Sequence, residues 1–352
     1  MHIVILADPI DKQNAGIHVY TKNIVKALLQ LNKQLPKEKQ NKYTFIHCEK
    51  NPFFLNLDHH IIARGNYPGG ESIRRFIHIP KLIKKINPDA VWEPCHIGPF
   101  NIPKNIKRIL TIHDLTSVLF PKQHTFKNRF IHKLLLPHSI KNADIILVPS
   151  KTTKNDIEKL YNPKAKIHAI PLGADHIKPV TKITENNQPY ILYLGTIEPR
   201  KNLKILIDAF DEIKQSLNIP HKLILAGHIG WKSKNIVNKA KKTPDVILKN
   251  FVDEEQKANL YANASMFIYP STYEGYGLPP QEAMAYGTPI ICSTGGALQE
   301  IYKDHALLFD PNDKEKLKLH ILEIIKNPKQ KIPKIINTWE NTAKETINAL
   351  TS

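Results

Sequence analysis

No run of about 18 consecutive apolar residues occurs in this 352-residue chain, which excludes a helix that crosses a bilayer. A leader is also missing from view. Met1-His2-Ile3-Val4-Ile5-Leu6 enters an apolar run with no basic segment ahead of it, and reads as a buried first strand rather than a secretory signal. Cysteines number only three, and Cys48, Cys95 and Cys292 are too scattered to show metal-ligand spacing. A reducing, cytoplasmic setting follows as the simplest expectation. No Asp-x-Asp pair and no carboxylate cluster suited to a magnesium–diphosphate pair is visible, so no metal or other cofactor is expected. Repeats at solenoid periods and long low-complexity tracts are absent as well.

Acidic residues are in short supply. Lys and Arg total 50 against 32 Asp and Glu, a formal net charge of +18. The imbalance is lopsided, with 28 basic and 13 acidic residues in 1–180 (net +15) against 22 and 19 in 181–352 (net +3). Such a field draws anions, whether nucleic acid, acidic lipid or phosphorylated substrates. Lysine-rich solubility is the plainer alternative. No nucleic-acid-binding motif accompanies the charge, so nucleic acid is not expected as a partner. Two segments, Ser72 to Lys85 and Lys127 to Lys141, mix cations with apolar residues. They suit an anionic membrane surface, or equally ordinary amphipathic helices packed on a sheet.

What is present is an alternation of short apolar runs with helical patterns, the mark of parallel sheets covered by helices. Strands are predicted at 2–7, 43–48, 60–63, 89–92, 108–113, 144–149 and 166–171, with helices near 16–31, 72–86, 126–141 and 151–161. The aperiodic stretch Leu172 to Pro189 reads as a linker. A second series follows, with strands at 190–195, 222–226, 245–248, 266–269, 289–292 and 306–309. Its helices are predicted at 201–217, 232–242, 253–262, 280–286, 297–302 and 313–326. A last helix, 333–350, comes after a Lys/Pro-rich break at Asn327–Pro333. At a length that suits two domains, the expectation is α/β: two Rossmann-like domains facing a cleft, 1–175 and 176–330. The helix in 331–352 is expected to pack back on the first domain. Ligands of such sheets bind beyond the carboxyl ends of the strands, so the site is expected in that cleft.

Two segments carry candidate chemistry. Tyr190-Ile-Leu-Tyr-Leu-Gly195-Thr-Ile-Glu-Pro-Arg200-Lys201-Asn202 runs from a strand to a predicted helix start, where backbone N–H groups and two cations suit a diphosphate. A solvated basic turn is the alternative. Further on, Pro270-Ser-Thr-Tyr-Glu274-Gly-Tyr-Gly-Leu-Pro-Pro-Gln-Glu282 places Glu274 on a glycine-containing loop and Glu282 in a predicted first helical turn entered through Pro279-Pro280. Carboxylates accept hydrogen bonds from paired sugar hydroxyls, so one acid suits a ribose and the other a hexose. Glu282 has a plainer use too, because an acid in a first turn favours the helix dipole. Gly275-x-Gly277 is a weak dinucleotide fingerprint, since Pro280 takes the third glycine's place. A nicotinamide enzyme is disfavoured for the same lack of glycines in the first turn.

Together these segments resemble the retaining glycosyltransferases of family 4, which have the GT-B fold. Two glutamates separated by seven residues are that family's signature, matched by Glu274 and Glu282 with the flanking Pro270-Ser, Gly277-Leu-Pro, Glu282-Ala-Met and Gly287-Thr-Pro. Gly195 to Asn202 matches the family's diphosphate-binding turn, and Ile170-Pro-Leu-Gly173-Ala-Asp175 its interdomain segment. The resemblance implies a nucleotide-sugar donor with the ribose on Glu282, the transferred sugar on Glu274 and the diphosphate on Lys201. It places backbone groups of Tyr276, Gly277 and Leu278 at sugar and phosphate, and Phe251 and Val252 near the base. Thr196 stands where many members have an arginine, and Arg200 is taken to supply that charge. Asn14-Ala15-Gly16-Ile17-His18 resembles the family's glycine loop, with Gly16 offering its N–H to phosphate. His113-Asp114 matches the family's His-Asp pair. This makes His113, with Lys201 and Glu274, a candidate at the reacting region, and Asp114 an acceptor-side residue. The implied reaction retains configuration, with GDP-mannose the favoured donor and a UDP-sugar the alternative. The implied acceptor is a glycan or lipid-linked glycan of a bacterial surface polysaccharide. The chain is expected in the cytoplasm or peripherally on the inner face of the cell membrane.

Overall fold

The computed structural model describes residues 1–11, 15–177, 180, 188–328 and 332–351. Most of the predicted linker, Asn14 of the glycine loop and part of the Asn327–Pro333 break lie outside the described residues. The chain forms two compact units. One comprises Met1–Leu119, Phe126–Leu172 and Trp339–Ser352, and the other Phe120–Thr125 and Gly173–Thr338.

Seven parallel strands build the first unit: β1 His2–Leu6, β2 Lys42–His47, β3 His59–Ile61, β4 Ala90–Glu93, β5 Lys107–Thr111, β6 Ile145–Val148 and β7 Lys166–Ala169. Their order is β3-β2-β1-β4-β5-β6-β7. The second unit has β8 Tyr190–Leu194, β9 Lys222–Ala226, β10 Val246–Lys249, β11 Met266–Tyr269, β12 Ile290–Ser293 and β13 Leu307–Phe309, ordered β10-β9-β8-β11-β12-β13. The six strands of this second sheet are likewise parallel, in register at Tyr190↔Lys222 and Met266↔Ile191. Central strands such as Ile191-Leu192-Tyr193 are buried without alternation, as a sheet covered on both faces requires. All thirteen predicted strands are present, with ends shifted by no more than two residues.

Helices follow from apolar spacing and capping. Leu203–Leu217 buries Leu203, Leu206, Ile207, Phe210 and Ile213 as one stripe. Asp253 and Gln256 close a capping box at the start of Glu254–Asn263.

Four local expectations change. The segment predicted as one helix over 72–86 starts at Gly70 and widens to a π-turn over Arg74–His78. Pro80 has no N–H for the carbonyl of Phe76 four residues earlier, and the Asn101 amide donates to that carbonyl instead, at 2.9 Å. The last helix begins at Trp339, not 333. Upstream of it, the Lys334 N–H donates to the Met284 carbonyl and the Asn337 carbonyl accepts from Ala174 N–H, so tertiary partners take groups a helix would use. The helix after the Glu274 loop starts at Leu278 rather than 280. Finally, Phe120–Thr125 belongs to the second unit, where Trp231 Nε1 donates to the Gln123 carbonyl at 2.6 Å and the Phe120 ring lies 5.4 Å from that of Tyr273. Within the first unit, Trp339–Thr351 packs along helix Ala15–Gln34, with Trp339 6.1 Å from Tyr20 and Thr342 donating to the Pro171 carbonyl.

Phe210 is fully buried in the core of the second unit. Phe210→Ala should cost about 3–5 kcal/mol, seen as a lowered urea midpoint for that unit in equilibrium unfolding.

Candidate active site

A parallel sheet opens a crevice where strands on either side of a switch point send their chains opposite ways. In the second sheet that point falls between β8 and β11. The loops leaving these two strands carry both candidate segments. They are tied together by backbone: Thr272 N–H and Oγ1 both donate to the Arg200 carbonyl, at 2.9 and 3.1 Å.

Arg200 and Lys201 do not form a solvated turn. Pro199–Lys201 is a 3-10 turn preceding the helix, with Asn202 in the left-handed region between them. Lys201 is buried, and its Nζ lies 2.6 Å from Glu274 Oε1 and 2.7 Å from the Tyr269 hydroxyl. Arg200 Nη1 meets Glu274 Oε2 at 2.7 Å, and Nη2 meets Glu198 Oε1 at 2.9 Å. Burial by itself would raise the Glu274 carboxyl, but the Arg200 and Lys201 charges and the hydrogen bond from Lys201 hold it at about 2. Burial, with Arg200 adding, lowers the Lys201 ammonium, which Glu274 and Glu198 oppose.

Two glycines set this loop. Gly296 (φ +64°) backs onto it, where Ala297 N–H donates to the Glu274 carbonyl and an added Cβ would collide with Glu274 backbone. Gly277 (φ +94°) turns the chain left-handed into helix Leu278–Ala285, and a Cβ there would strike Leu298. Tyr276 and Leu278 beside it are buried. Because the helix starts at Leu278, Glu282 lies beyond its first turn, which removes the dipole reading.

Glu282 has a separate set of partners. Tyr261 donates to its Oε2 at 2.9 Å, while Lys257 Nζ and His176 Nε2 reach Oε1 at 3.3 and 3.1 Å. Burial would raise this carboxyl too; Lys257, His176 and Tyr261 overrule it and hold it at about 2. Near the end of β10, Phe251 leaves its ring exposed, and Val252 packs partly on the core.

The sequence missed His176, Lys257, Tyr261, Glu198 and Tyr269. Three had a nearby signal: Glu198 lies inside the Gly195 to Asn202 segment, Tyr269 directly before Pro270, and His176 directly after the Gly173-Ala-Asp175 segment.

In the first sheet the switch point lies between β1 and β4. Gly16 is exposed at the start of helix Ala15–Gln34, with open space where a Cβ would be. His113 follows β5. Its Nε2 is 2.9 Å from the Pro94 carbonyl, which can only accept, so Nδ1 is the ring's acceptor. Its ring meets Tyr20 edge-on at 4.7 Å, and burial lowers its pKa, so it stays neutral. Asp114 Oδ1 accepts from Thr116 N–H and Oγ1, the local work of starting helix Thr116–Leu119.

A cavity of about 180 Å³ lies at the same switch point, lined by Asp8, Arg64, Arg75, Glu93, Ile97 and Phe100 among others. Burial pushes the Glu93 carboxyl up to about 8, against the pull of Arg75. Beside it, Asp8, Asp11 and Cys48 bring ligand atoms within 4.8 Å of one another. Asp8 is engaged by Arg74 through two 2.6 Å bonds, and Asp11 accepts from Cys48 and Glu49 N–H at 2.8 and 2.9 Å.

Residues 16–177 match the family Glycosyltransferase Family 4, and residues 177–345 match Glycosyl transferases group 1. The chain belongs to this glycosyltransferase family, and its two Rossmann-like units are of the GT-B fold class. Among its relatives is O-antigen chain mannosyltransferase B of Escherichia coli, 31% identical over 277 residues that span 72% of each chain. O-antigen chain mannosyltransferase RfbU of Salmonella typhimurium is 29% identical over 264 residues, 74% of this chain and 70% of that one. Among solved structures, sucrose-phosphate synthase from Thermosynechococcus elongatus matches with a TM-score of 0.71 at 19% identity, covering 100% of this chain and 94% of that chain. WaaG, a glycosyltransferase involved in lipopolysaccharide biosynthesis, gives 0.68 at 14%, covering 99% and 94%. At such identities the structural likeness concerns the fold.

A carboxyl whose folded pKa is depressed stabilises the fold above its unfolded value, and that stability is lost as pH falls through the folded value. Glu282 drops from 4.5 to about 2. Thermal stability should therefore fall as pH goes from about 4.5 towards 2, and Glu282→Gln should lessen that slope in pH-resolved calorimetry.

Proposed function

We propose that the chain moves mannose from GDP-mannose to a hydroxyl of a bacterial surface-glycan acceptor, with retention of configuration. The observation that carries this reading is the pair of buried glutamates, each kept charged by its own cations. A charged carboxylate accepts from two neighbouring hydroxyls, which a neutral acid does poorly. Glu282 takes the ribose, and Glu274 the transferred sugar. Lys201 uses two of its three N–H donors on Tyr269 and Glu274, leaving one for a phosphate oxygen, with Arg200 adding charge. N–H groups at the start of helix Leu278–Ala285 complete the anion site. The exposed Phe251 ring and Val252 attend the base. On the first unit, Gly16 gives its N–H to phosphate, and neutral His113 accepts from a sugar hydroxyl through Nδ1. The acceptor takes the cavity beside Glu93 and Arg75. Mannose is favoured because two relatives above are named mannosyltransferases.

In the transfer step the bond from the anomeric carbon to phosphate breaks, and its electron pair goes to the diphosphate. The acceptor oxygen bonds to that carbon on the same face, and its proton passes to the departing phosphate. Arg200, Lys201 and the helix start stabilise the charge that develops. No metal ion takes part in this reading.

Thermal-shift titration checks the donor, because a ligand bound only by the folded chain stabilises it by about 2.7 kcal/mol at 100 times Kd. GDP and GDP-mannose should raise the melting temperature while UDP does not. A shift with UDP alone would move the donor to a UDP-sugar, and no shift with either nucleotide would overturn the site. Lys201→Ala should lower kcat at least about 100-fold, and turnover in EDTA should be unchanged; full activity in the variant refutes the role given to Lys201.

A further inference from the structure

Two buried carboxylates share one guanidinium in the second unit. Arg200 Nη1 meets Glu274 Oε2 at 2.7 Å, and Nη2 meets Glu198 Oε1 at 2.9 Å. The two acids are otherwise unequal. Glu274 has a cation on each oxygen, since Lys201 Nζ holds Oε1 at 2.6 Å. Glu198 is 1% exposed, and its Oε2 has no hydrogen-bond partner among the described residues. A charged oxygen in that condition has lost its water and gained nothing for it. Burial, with Glu274 adding, raises the Glu198 carboxyl against the pull of Arg200 and Lys201, whereas Glu274 is held low.

The charged and titratable groups around Glu198 come from four elements. Its own turn contributes Arg200 and Lys201, and the loop after β11 contributes Glu274. Strand β8 contributes Tyr193, whose hydroxyl donates to the Thr196 carbonyl and is kept protonated by burial. The loop after β9 comes against Glu198 at Gly230, where an added Cβ would lie 3.5 Å from the Glu198 Cβ. That loop carries His228 and Lys232, and Lys232 Nζ is turned to the Lys122 carbonyl. In the buried set itself, the carboxylates Glu198 and Glu274 balance the cations Arg200 and Lys201.

A sugar nucleotide brings the negative charges of its diphosphate to this balanced set, in a place where water screens them poorly. The excess is relieved if one carboxylate takes a proton. Glu274 resists, because cations hold both its oxygens. We infer, on the donor reading above, that Glu198 binds a proton from solvent when the donor diphosphate binds, leaving Glu274 charged for the sugar and the Arg200 charge to Glu274 and phosphate. The proton goes onto Oε2, the oxygen without a partner, while Oε1 keeps its bond from Arg200. A neutral hydroxyl without a partner costs less there than a charged oxygen without one. Glu198 is thus a positioning residue whose proton is linked to donor affinity.

The test is isothermal titration calorimetry of the full chain with GDP-mannose, whose diphosphate, unlike that of GDP, exchanges no proton near neutral pH. Each titration is run in two buffers of different ionisation heat, MES against bis-Tris and HEPES against Tris, from about pH 5.5 to about pH 8. The difference in heat counts the protons bound with the donor. Between the free and the donor-bound pKa of Glu198, uptake should approach one proton, and Kd should rise by up to about tenfold per pH unit. Glu198→Gln should bind the donor without that uptake and with a flat pH dependence, whereas His228→Gln should keep both. No uptake by the native chain anywhere in the range overturns the proposal, and that measurement needs no variant. Undiminished uptake in Glu198→Gln, or its loss in His228→Gln, overturns it as well. UDP-glucose is titrated in parallel. Binding of UDP-glucose alone, with uptake, moves the donor to a UDP-sugar and upholds the role of Glu198. Binding of GDP-mannose without uptake sinks that role alone, and binding of neither sinks both readings.

Discussion

A carboxylate keeps its charge inside a protein only when cations and donors replace the water it has lost. The second unit meets that condition twice, at Glu274 and at Glu282, and much of its loop structure serves it. The turn after β8 and the loop after β11 are tied through Thr272 and Arg200 so that Arg200 and Lys201 reach Glu274. Gly296 lets a third strand's loop back onto the Glu274 main chain. Lys257 and Tyr261 come from one helix and His176 from the segment entering the unit, and all three converge on Glu282. Removing a partner from either set leaves an interior charge uncompensated, which ties the stability of the unit to the same residues that give it chemistry.

The first unit uses its switch point differently. Its cavity combines an apolar wall with Glu93, whose carboxyl burial pushes up to about 8, and with Arg64 and Arg75, which share Glu71. The cationic excess of this half is carried on outward helical faces, as by Lys127, Arg129 and Lys133 of helix Phe126–Asn142. Charge that composition alone leaves open between solubility and binding thus acquires a location.

Much of the fold was legible because parallel strands are short continuous apolar runs and helices show a longer period. Those are local properties, and all thirteen strands were found from them. Errors arose where a tertiary bond replaced a local one: the carbonyl of Phe76 bonded by Asn101, and Lys334 and Asn337 bonded across to Met284 and Ala174. The exposure of Phe126, Phe130 and Leu134 on helix Phe126–Asn142 was hidden from pattern reading because apolar residues occur on both its inner and outer sides, so the period cannot say which side is packed.

By itself the sequence determined two α/β units, the family, and the spacing of Glu274 and Glu282, since all three are written in local pattern and motif. Only the tertiary structure decided what state those acids are in. The partners of Glu282 lie 21, 25 and 106 residues away along the chain, and Lys201 lies 73 from Glu274. No spacing rule reaches that far. Whether a buried acid is neutral or charged depends on which groups the fold brings within hydrogen-bond distance, and that is settled by the sheet order and its loops.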